Sequence, residues 1–155
     1  MKLLLKQRIF TWFDSYDIYD EEGNAAFIVK GRLSWGHRLE IFNGKGEYLG
    51  QIKEEIISFM PRFSLYQGEN YFGSIRKKFT FLKPVFTLDC NGWRIEGDWL
   101  EWNYRIADST GQPVAYISKE VLNWSDTYAL DIGDSRDALR CLMIVLAIDA
   151  AKCSN

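Results

Sequence analysis

The sequence predicts a mainly β fold, a twelve-stranded closed antiparallel barrel enclosing a hydrophobic C-terminal α-helix. Three observations predict it. Short turns rich in Asp, Asn and Gly recur about every 20 residues between apolar runs. The segments beside those turns alternate apolar with polar or charged residues. The stretch from Cys141 to Ile148 is apolar at every position.

The turns come first, because they set the strand count. Asp20-Glu21-Glu22-Gly23, Asn43-Gly44-Lys45-Gly46, Gln67-Gly68-Glu69-Asn70, Asp89-Cys90-Asn91-Gly92 and Asp108-Ser109-Thr110-Gly111 each supply a side chain that can bond its own backbone and a residue that tolerates positive φ. Between them lies a second repeated element, an apolar strand end, charged residues, then an aromatic. Ile28 to Trp35, Ile52 to Phe59, Ile75 to Phe81 and Ile117 to Trp124 follow this plan, and Ile95 to Trp99 shortens it. Trp12 is the equivalent in the first unit.

The flanking segments read as strands with period two. Leu39 and Ile41 alternate with Arg38 and Glu40, and Trp102, Tyr104 and Ile106 alternate with Glu101, Asn103 and Arg105. One strand near 3–10, two around each turn, and one near 126–132 make about twelve. Short connections pair each strand with its chain neighbour, and a sheet that long curls and closes, which removes its edges. From Asp134 the period turns helical, with Ser135 as a cap, Asp137 in the first turn and the helix spanning about 135–152. A helix apolar on all sides is buried on all sides, and this one is too short for a bilayer. The barrel must therefore surround it.

The composition fits one domain, 1–155, with ample core: 47% of residues are hydrophobic and 15% aromatic. A formal net charge of −2 gives no bulk attraction to nucleic acid, so any basic patch is local. Cys90, Cys141 and Cys153 make neither a disulfide framework nor a zinc site, and reduced thiols fit a cytoplasmic protein. The three leucines Leu3 to Leu5 lie between charged residues, too short an apolar run for a signal peptide.

Candidate chemistry is sparse. His37 is the one histidine, which excludes a multi-histidine metal site, and beside Gly36 and Arg38 it reads as a surface loop residue. Asp14 with Asp17, Glu21 with Glu22, and Glu54 with Glu55 read as solvated charges. Asp149 follows an apolar helix core and reads as solvated or hydrogen-bonded near the barrel mouth, the alternative being a buried carboxyl with raised pKa. No glycine-rich phosphate loop precedes a helix. Alternate connections of a barrel share one end, which gathers Trp12, Trp35, Phe59, Phe81, Trp99 and Trp124 at one rim beside basic side chains. The rim residues expected to meet a partner are Arg32, Trp35, Arg38, Arg62, Lys78, Phe81, Lys83 and Trp124. The competing expectation is that the rings fold inward and cap the barrel.

The Asp-x-x-Gly turns, the segment Lys77-Lys78-Phe79-Thr80-Phe81-Leu82-Lys83-Pro84, the run Trp124 to Ile132 and the helix ending Ala147-Ile148-Asp149-Ala150 together resemble the LURP-one-related family, of the tubby C-terminal-like superfamily that includes the phospholipid scramblases. The match runs over essentially the whole chain. The resemblance implies a twelve-stranded barrel around a hydrophobic C-terminal helix, the count reached above from the residues alone. It also implies a barrel surface that meets phospholipid headgroups, as tubby proteins do. No cysteine cluster, calcium-binding loop or long membrane segment accompanies it, so scramblase activity is not expected.

The expected function is a non-enzymatic binding module, without cofactor or metal, whose partner is anionic membrane lipid or another protein and not nucleic acid. The alternatives are a hydrolytic enzyme using Asp149 or His37 in a barrel-mouth pocket, and a structural adaptor.

Overall fold

The computed structural model of the chain describes residues 1–6, 15–34, 36–56, 59–79, 81, 84–122 and 125–153. Twelve strands are described: β1 (Lys2–Lys6), β2 (Ser15–Asp20), β3 (Ala25–Ser34), β4 (Gly36–Asn43), β5 (Tyr48–Glu54), β6 (Arg62–Gln67), β7 (Asn70–Phe79), β8 (Pro84–Asp89), β9 (Arg94–Asp98), β10 (Asn103–Ala107), β11 (Pro113–Leu122) and β12 (Ser125–Ile132). They form one sheet in the order β8-β7-β6-β5-β4-β3-β2-β1-β12-β11-β10-β9, antiparallel throughout. A 3₁₀ turn, Ser135–Asp137, leads into the helix α1 (Ala138–Cys153).

Three of the predicted turns are built alike, and the side chain explains why. Asp20 Oδ1 accepts from the N–H of Glu22 and Asn24 at 3.0 and 2.8 Å. Asn43 Oδ1 accepts from Lys45 and Glu47 at 3.0 and 2.9 Å, and Asp108 Oδ1 from Thr110 and Gln112 at 2.8 and 3.0 Å. One carboxylate or amide oxygen thus holds two backbone donors of its own turn. The glycine that follows, Gly23, Gly46 or Gly111, takes φ near +85°, which a side chain would resist. These hydrogen bonds, led by that of the Thr110 hydroxyl, pull the Asp108 carboxyl below its usual range. Asp108→Ala is expected to lower the melting temperature. The sign follows from the depressed pKa: the wild-type advantage is present at neutral pH and disappears as pH falls through the folded-state value. A thermal melt of both proteins at neutral and strongly acid pH checks it.

The ladder runs from chain neighbour to chain neighbour with one interruption. Strands β8 and β9 have no backbone pairing among the described residues, so the expected hairpin at Asp89–Gly92 forms its turn but not its ladder. The two strands still lie side by side, and side chains fill the seam. Phe86 of β8 packs edge-on against Trp99 at 4.3 Å between ring centroids. On its other edge β9 pairs with β10, where Gly97 takes φ +114° and an added Cβ would lie 2.8 Å from the Asn103 carbonyl. Closure comes from the other side, where the N-terminal strand β1 pairs with β12 from Lys2↔Asp131 to Lys6↔Thr127.

Period two decides which residues face inward. Leu3, Ile18, Val29, Leu39, Ile41, Ile52, Phe63, Leu65, Ile75, Ile106, Ile117 and Leu130 are almost wholly buried. They surround α1, in which every residue from Cys141 to Ile148 is buried. Two details of the helix start differ from the sequence reading. The cap is Asp134, whose side chain accepts from the Arg136 N–H at 2.9 Å, and Ser135 already lies inside the 3₁₀ turn. Arg136 also grips the Asp134 carboxylate at 2.6 Å and holds its pKa down at about 2.

Candidate functional site

The helix enters at the end of the barrel that carries the Asp-x-x-Gly turns and finishes at the opposite end. That end is made by the connections after β3, β5, β7, β9 and β11. Its outer wall is basic by register. Inward Leu39, Ile52, Phe63 and Ile75 put Arg38, Lys53, Arg62 and Arg76 on the outside. Arg32 lies opposite Arg38, and Arg38 opposite Lys53, so three cations occupy neighbouring positions on β3, β4 and β5. Arg62 lies opposite Arg76 on the next pair of strands, and Lys78 follows on the same face. Like charges placed directly opposite are unfavourable.

Several acidic side chains nearby are hydrogen-bonded or paired. Glu54 takes the His37 ring Nδ1 at 2.6 Å, Glu55 accepts from the Ser64 hydroxyl at 2.7 Å, and Glu120 is paired with Lys2. Glu40 reaches Arg32 and Arg38 only at 3.5 and 3.3 Å. Lys53, Arg62, Arg76 and Lys78 make no ion pair among the described residues. The Nε atoms of Arg38 and Arg62 are buried without a hydrogen-bond partner there. Six cations, Arg32, Arg38, Lys53, Arg62, Arg76 and Lys78, thus stand beside three carboxylates, Glu40, Glu54 and Glu55, although the chain as a whole is slightly acidic.

The rim itself divides its aromatics. Phe59, after β5, and Phe81, after β7, are fully exposed, and Ile56 and Leu100 are more than half exposed. Trp99 instead folds inward, as capping rings were expected to do, and is buried with Trp102. Trp12, Trp35, Lys83 and Trp124 lie outside the described residues. Of the remaining predicted rim residues, Arg32, Lys78 and Phe81 are exposed, while Arg38 and Arg62 are half-buried. Sequence reasoning missed Lys53 and Arg76. Their signal was parity: each follows a buried isoleucine by one residue, which turns it outward.

Parity also separates two adjacent lysines. Lys77 has the parity of Ile75 and points in, donating to the Ala151 carbonyl of the last helical turn at 3.2 Å. It satisfies a carbonyl that the helix leaves without an intrahelical partner and places positive charge at the negative end of the dipole. Lys78 points out.

At the same end, inside, sits a polar cluster. The Tyr128 hydroxyl donates to Asp149 Oδ2 at 2.6 Å. Loss of hydration pushes the Asp149 carboxyl up to about 6, against the opposing pull of Tyr128 and of the Lys152 charge. The same burial, with the Asp149 charge beside them, holds the Tyr128 and Tyr104 hydroxyls well above their usual range. The Tyr104 hydroxyl has no hydrogen-bond partner among the described residues. Lys152 Nζ stands 3.3 Å over the Trp102 ring and 5.7 Å from that of Trp99. Trp102 stacks on Tyr128 at 4.2 Å and 21° and adopts φ +56°, a left-handed conformation that costs a non-glycine residue roughly 1–3 kcal/mol. Asp149 is thus both hydrogen-bonded and shifted, combining the two sequence-based alternatives.

His37 is the second residue of β4 rather than a loop residue, and it is half-buried against Glu54. A groove of about 390 Å³ is lined by Glu96, Asn103, Arg105, Tyr116 and Ser118, and by neither His37 nor Asp149. Its Glu96 is occupied by Arg105 at 2.6 and 2.8 Å. No group of three metal-ligating side chains occurs among the described residues. No described helix is long and apolar enough to cross a membrane.

Comparison with known proteins agrees with this architecture. The chain is 31% identical over 150 residues to the uncharacterized protein YxjI of Bacillus subtilis (strain 168), covering 96% of this chain and 92% of that one. A crystal structure of an Arabidopsis thaliana protein superposes with a TM-score of 0.66 at 17% identity, over 96% of this chain and 90% of that one, which establishes a shared fold. The LURP-one-related family model matches residues 1–149, and the chain belongs to that family.

Proposed function

We propose that the chain is a non-enzymatic binding module that rests its aromatic rim on an anionic phospholipid surface. The observation that supports this most is the pairing of fully exposed Phe59 and Phe81 with a basic wall in which Lys53, Arg62, Arg76 and Lys78 make no ion pair among the described residues. Aromatic side chains seat at the level of lipid headgroups, and lysine or arginine beside them meets the phosphates. A charged surface alone would suit any polyanion; the bare rings favour an interface with an apolar layer beneath it. His37 and Asp149 are engaged with Glu54 and Tyr128 on separate elements, which supports a role without catalysis.

Vesicle co-sedimentation tests the reading. Phosphatidylcholine vesicles containing phosphatidylserine are expected to carry the protein down, pure phosphatidylcholine vesicles to leave it in solution, and added salt to weaken the binding. At about 1 kcal/mol for each basic side chain near the surface, Lys53→Ala with Arg76→Ala is expected to weaken binding roughly thirtyfold. Phe59→Ala with Phe81→Ala is expected to weaken it as well. Equal binding to both vesicle types, no binding, or variants indistinguishable from wild type would remove the lipid partner and leave a protein partner as the reading to pursue.

A further inference from the structure

We propose that Asp149, held by Tyr128, and Lys152, seated on Trp102, form a proton-operated latch that fastens the last turn of α1 to the β9–β10 turn. The inference goes beyond the lipid reading and does not depend on it.

The geometry carries the argument. Asp149 and Lys152 are three residues apart, so they share one side of the helix. Asp149 is bonded to β12 through Tyr128. Lys152 lies on the face of Trp102, and Trp102 stacks on that same Tyr128. The four side chains therefore close a ring joining helix, β12 and the β9–β10 turn. The turn is held in a strained shape at Trp102, so it has a conformation to relax into when the ring opens.

The groups facing Asp149 decide what a proton does there. β12 presents Tyr128, β10 presents Tyr104, and β2 presents Tyr16 beside Tyr128. The helix itself presents Lys152, and β7 presents Lys77, which is held on the Ala151 carbonyl. The buried side chains of β5 and β6 include apolar Ile52, Phe63 and Leu65. Among the described residues, Lys152 offers compensation by charge to the Asp149 carboxylate. With Asp149 neutral, Lys152 stays on the indole and the ring is closed. With Asp149 ionised, the poorly hydrated carboxylate draws Lys152 off Trp102 or admits water, and the helix end loosens.

The direction with pH follows from the raised pKa. The folded protein holds the Asp149 proton more tightly than the unfolded chain does. The stability it contributes is complete below the ordinary carboxylate value of 3.8 and is lost as pH rises through about 6.

The test compares wild type with Asp149→Asn by denaturant unfolding from pH 4 to pH 8, together with tryptophan emission in native buffer. The two proteins differ at position 149 alone, so the other titrating groups cancel in the comparison. Asparagine still accepts from Tyr128 but does not ionise. The unfolding constant of wild type, divided by that of Asp149→Asn, is expected to rise about a hundredfold across the range. Wild-type emission is expected to change with a midpoint near pH 6. That transition should vanish in Asp149→Asn and move to higher pH in Lys152→Met, which removes the compensating charge. A flat ratio, a transition that survives Asp149→Asn, or a midpoint that ignores Lys152→Met would overturn the latch. Should Asp149→Asn not fold, carboxyl-carbon NMR on wild type decides instead: Asp149 titrating near pH 4 overturns it, and near pH 6 supports it.

Discussion

Removal of residues 135–155 is expected to leave a chain that forms no soluble barrel. Leu142, Met143, Ile144, Val145, Leu146 and Ile148 expose at most 1% of their surface. Burying each such side chain is worth roughly 1.5–3 kcal/mol, so together they contribute on the order of 10 kcal/mol. That matches the whole net stability of an ordinary domain, about 5–15 kcal/mol. The loss counts twice, because Ile52, Phe63, Leu65 and Ile75 on the inner wall would then face a void. Circular dichroism and the soluble fraction after expression are the measurements. A truncated chain that stays soluble and melts cooperatively near the wild-type temperature would show that the strands alone suffice.

Gly50→Ala is expected to be the most damaging of the small substitutions, lowering stability by about 3 kcal/mol. Gly50 lies on β5 with the inward parity of Ile52. A Cβ there would fall 2.1 Å from the Tyr66 carbonyl oxygen and 2.6 Å from Met143 Cε of the helix. The methionine can swing away, but the backbone of β6 cannot. Adding Met143→Ala to Gly50→Ala should therefore recover little. In a domain of this size the shift corresponds to a fall in melting temperature of roughly 10 °C. A change below about 0.5 kcal/mol, the scale of an ordinary surface substitution, would mean that the sheet yields at this point.

These two sites mark where the sequence was readable and where it was not. The helix was legible because its burial is written in local composition: no polar residue interrupts Cys141 to Ile148. Turns such as Asp20–Gly23 were legible because donor and acceptor lie within four residues of each other. The open seam was not legible, since Asp89–Gly92 has the same turn chemistry as the paired hairpins. Between β8 and β9 the Phe86–Trp99 ring contact stands in place of a ladder, and it joins residues thirteen positions apart. The requirement for glycine at position 50 depends on the Tyr66 carbonyl of the neighbouring strand β6, a fact of strand pairing rather than of local sequence.

The rim was half legible for a similar reason. Aromatics and cations could be assigned to one end by counting connections, and Phe81 and Lys78 are there and exposed. Counting could not show that Trp99 turns inward, or that Arg32, Arg38 and Lys53 stand in one row. That row is a fact of register, and register is fixed by pairings between strands. Asp149 could be singled out by its position after an apolar run. Its partner Tyr128 is twenty-one residues away on another element, so its ionisation depends on the folded molecule.

The pairing of β1 with β12 has a consequence for how the molecule is made. Lys2 meets Asp131, and the Met1 carbonyl and amino group bond to Ile132 at 2.7 and 3.0 Å. On the ribosome the first strand emerges long before its mate exists. Intermediate hairpins can assemble in turn as they leave the exit tunnel, but their greasy inner surface has nothing to cover it until α1 has emerged. The barrel therefore cannot close before β12 and α1 have both been synthesised.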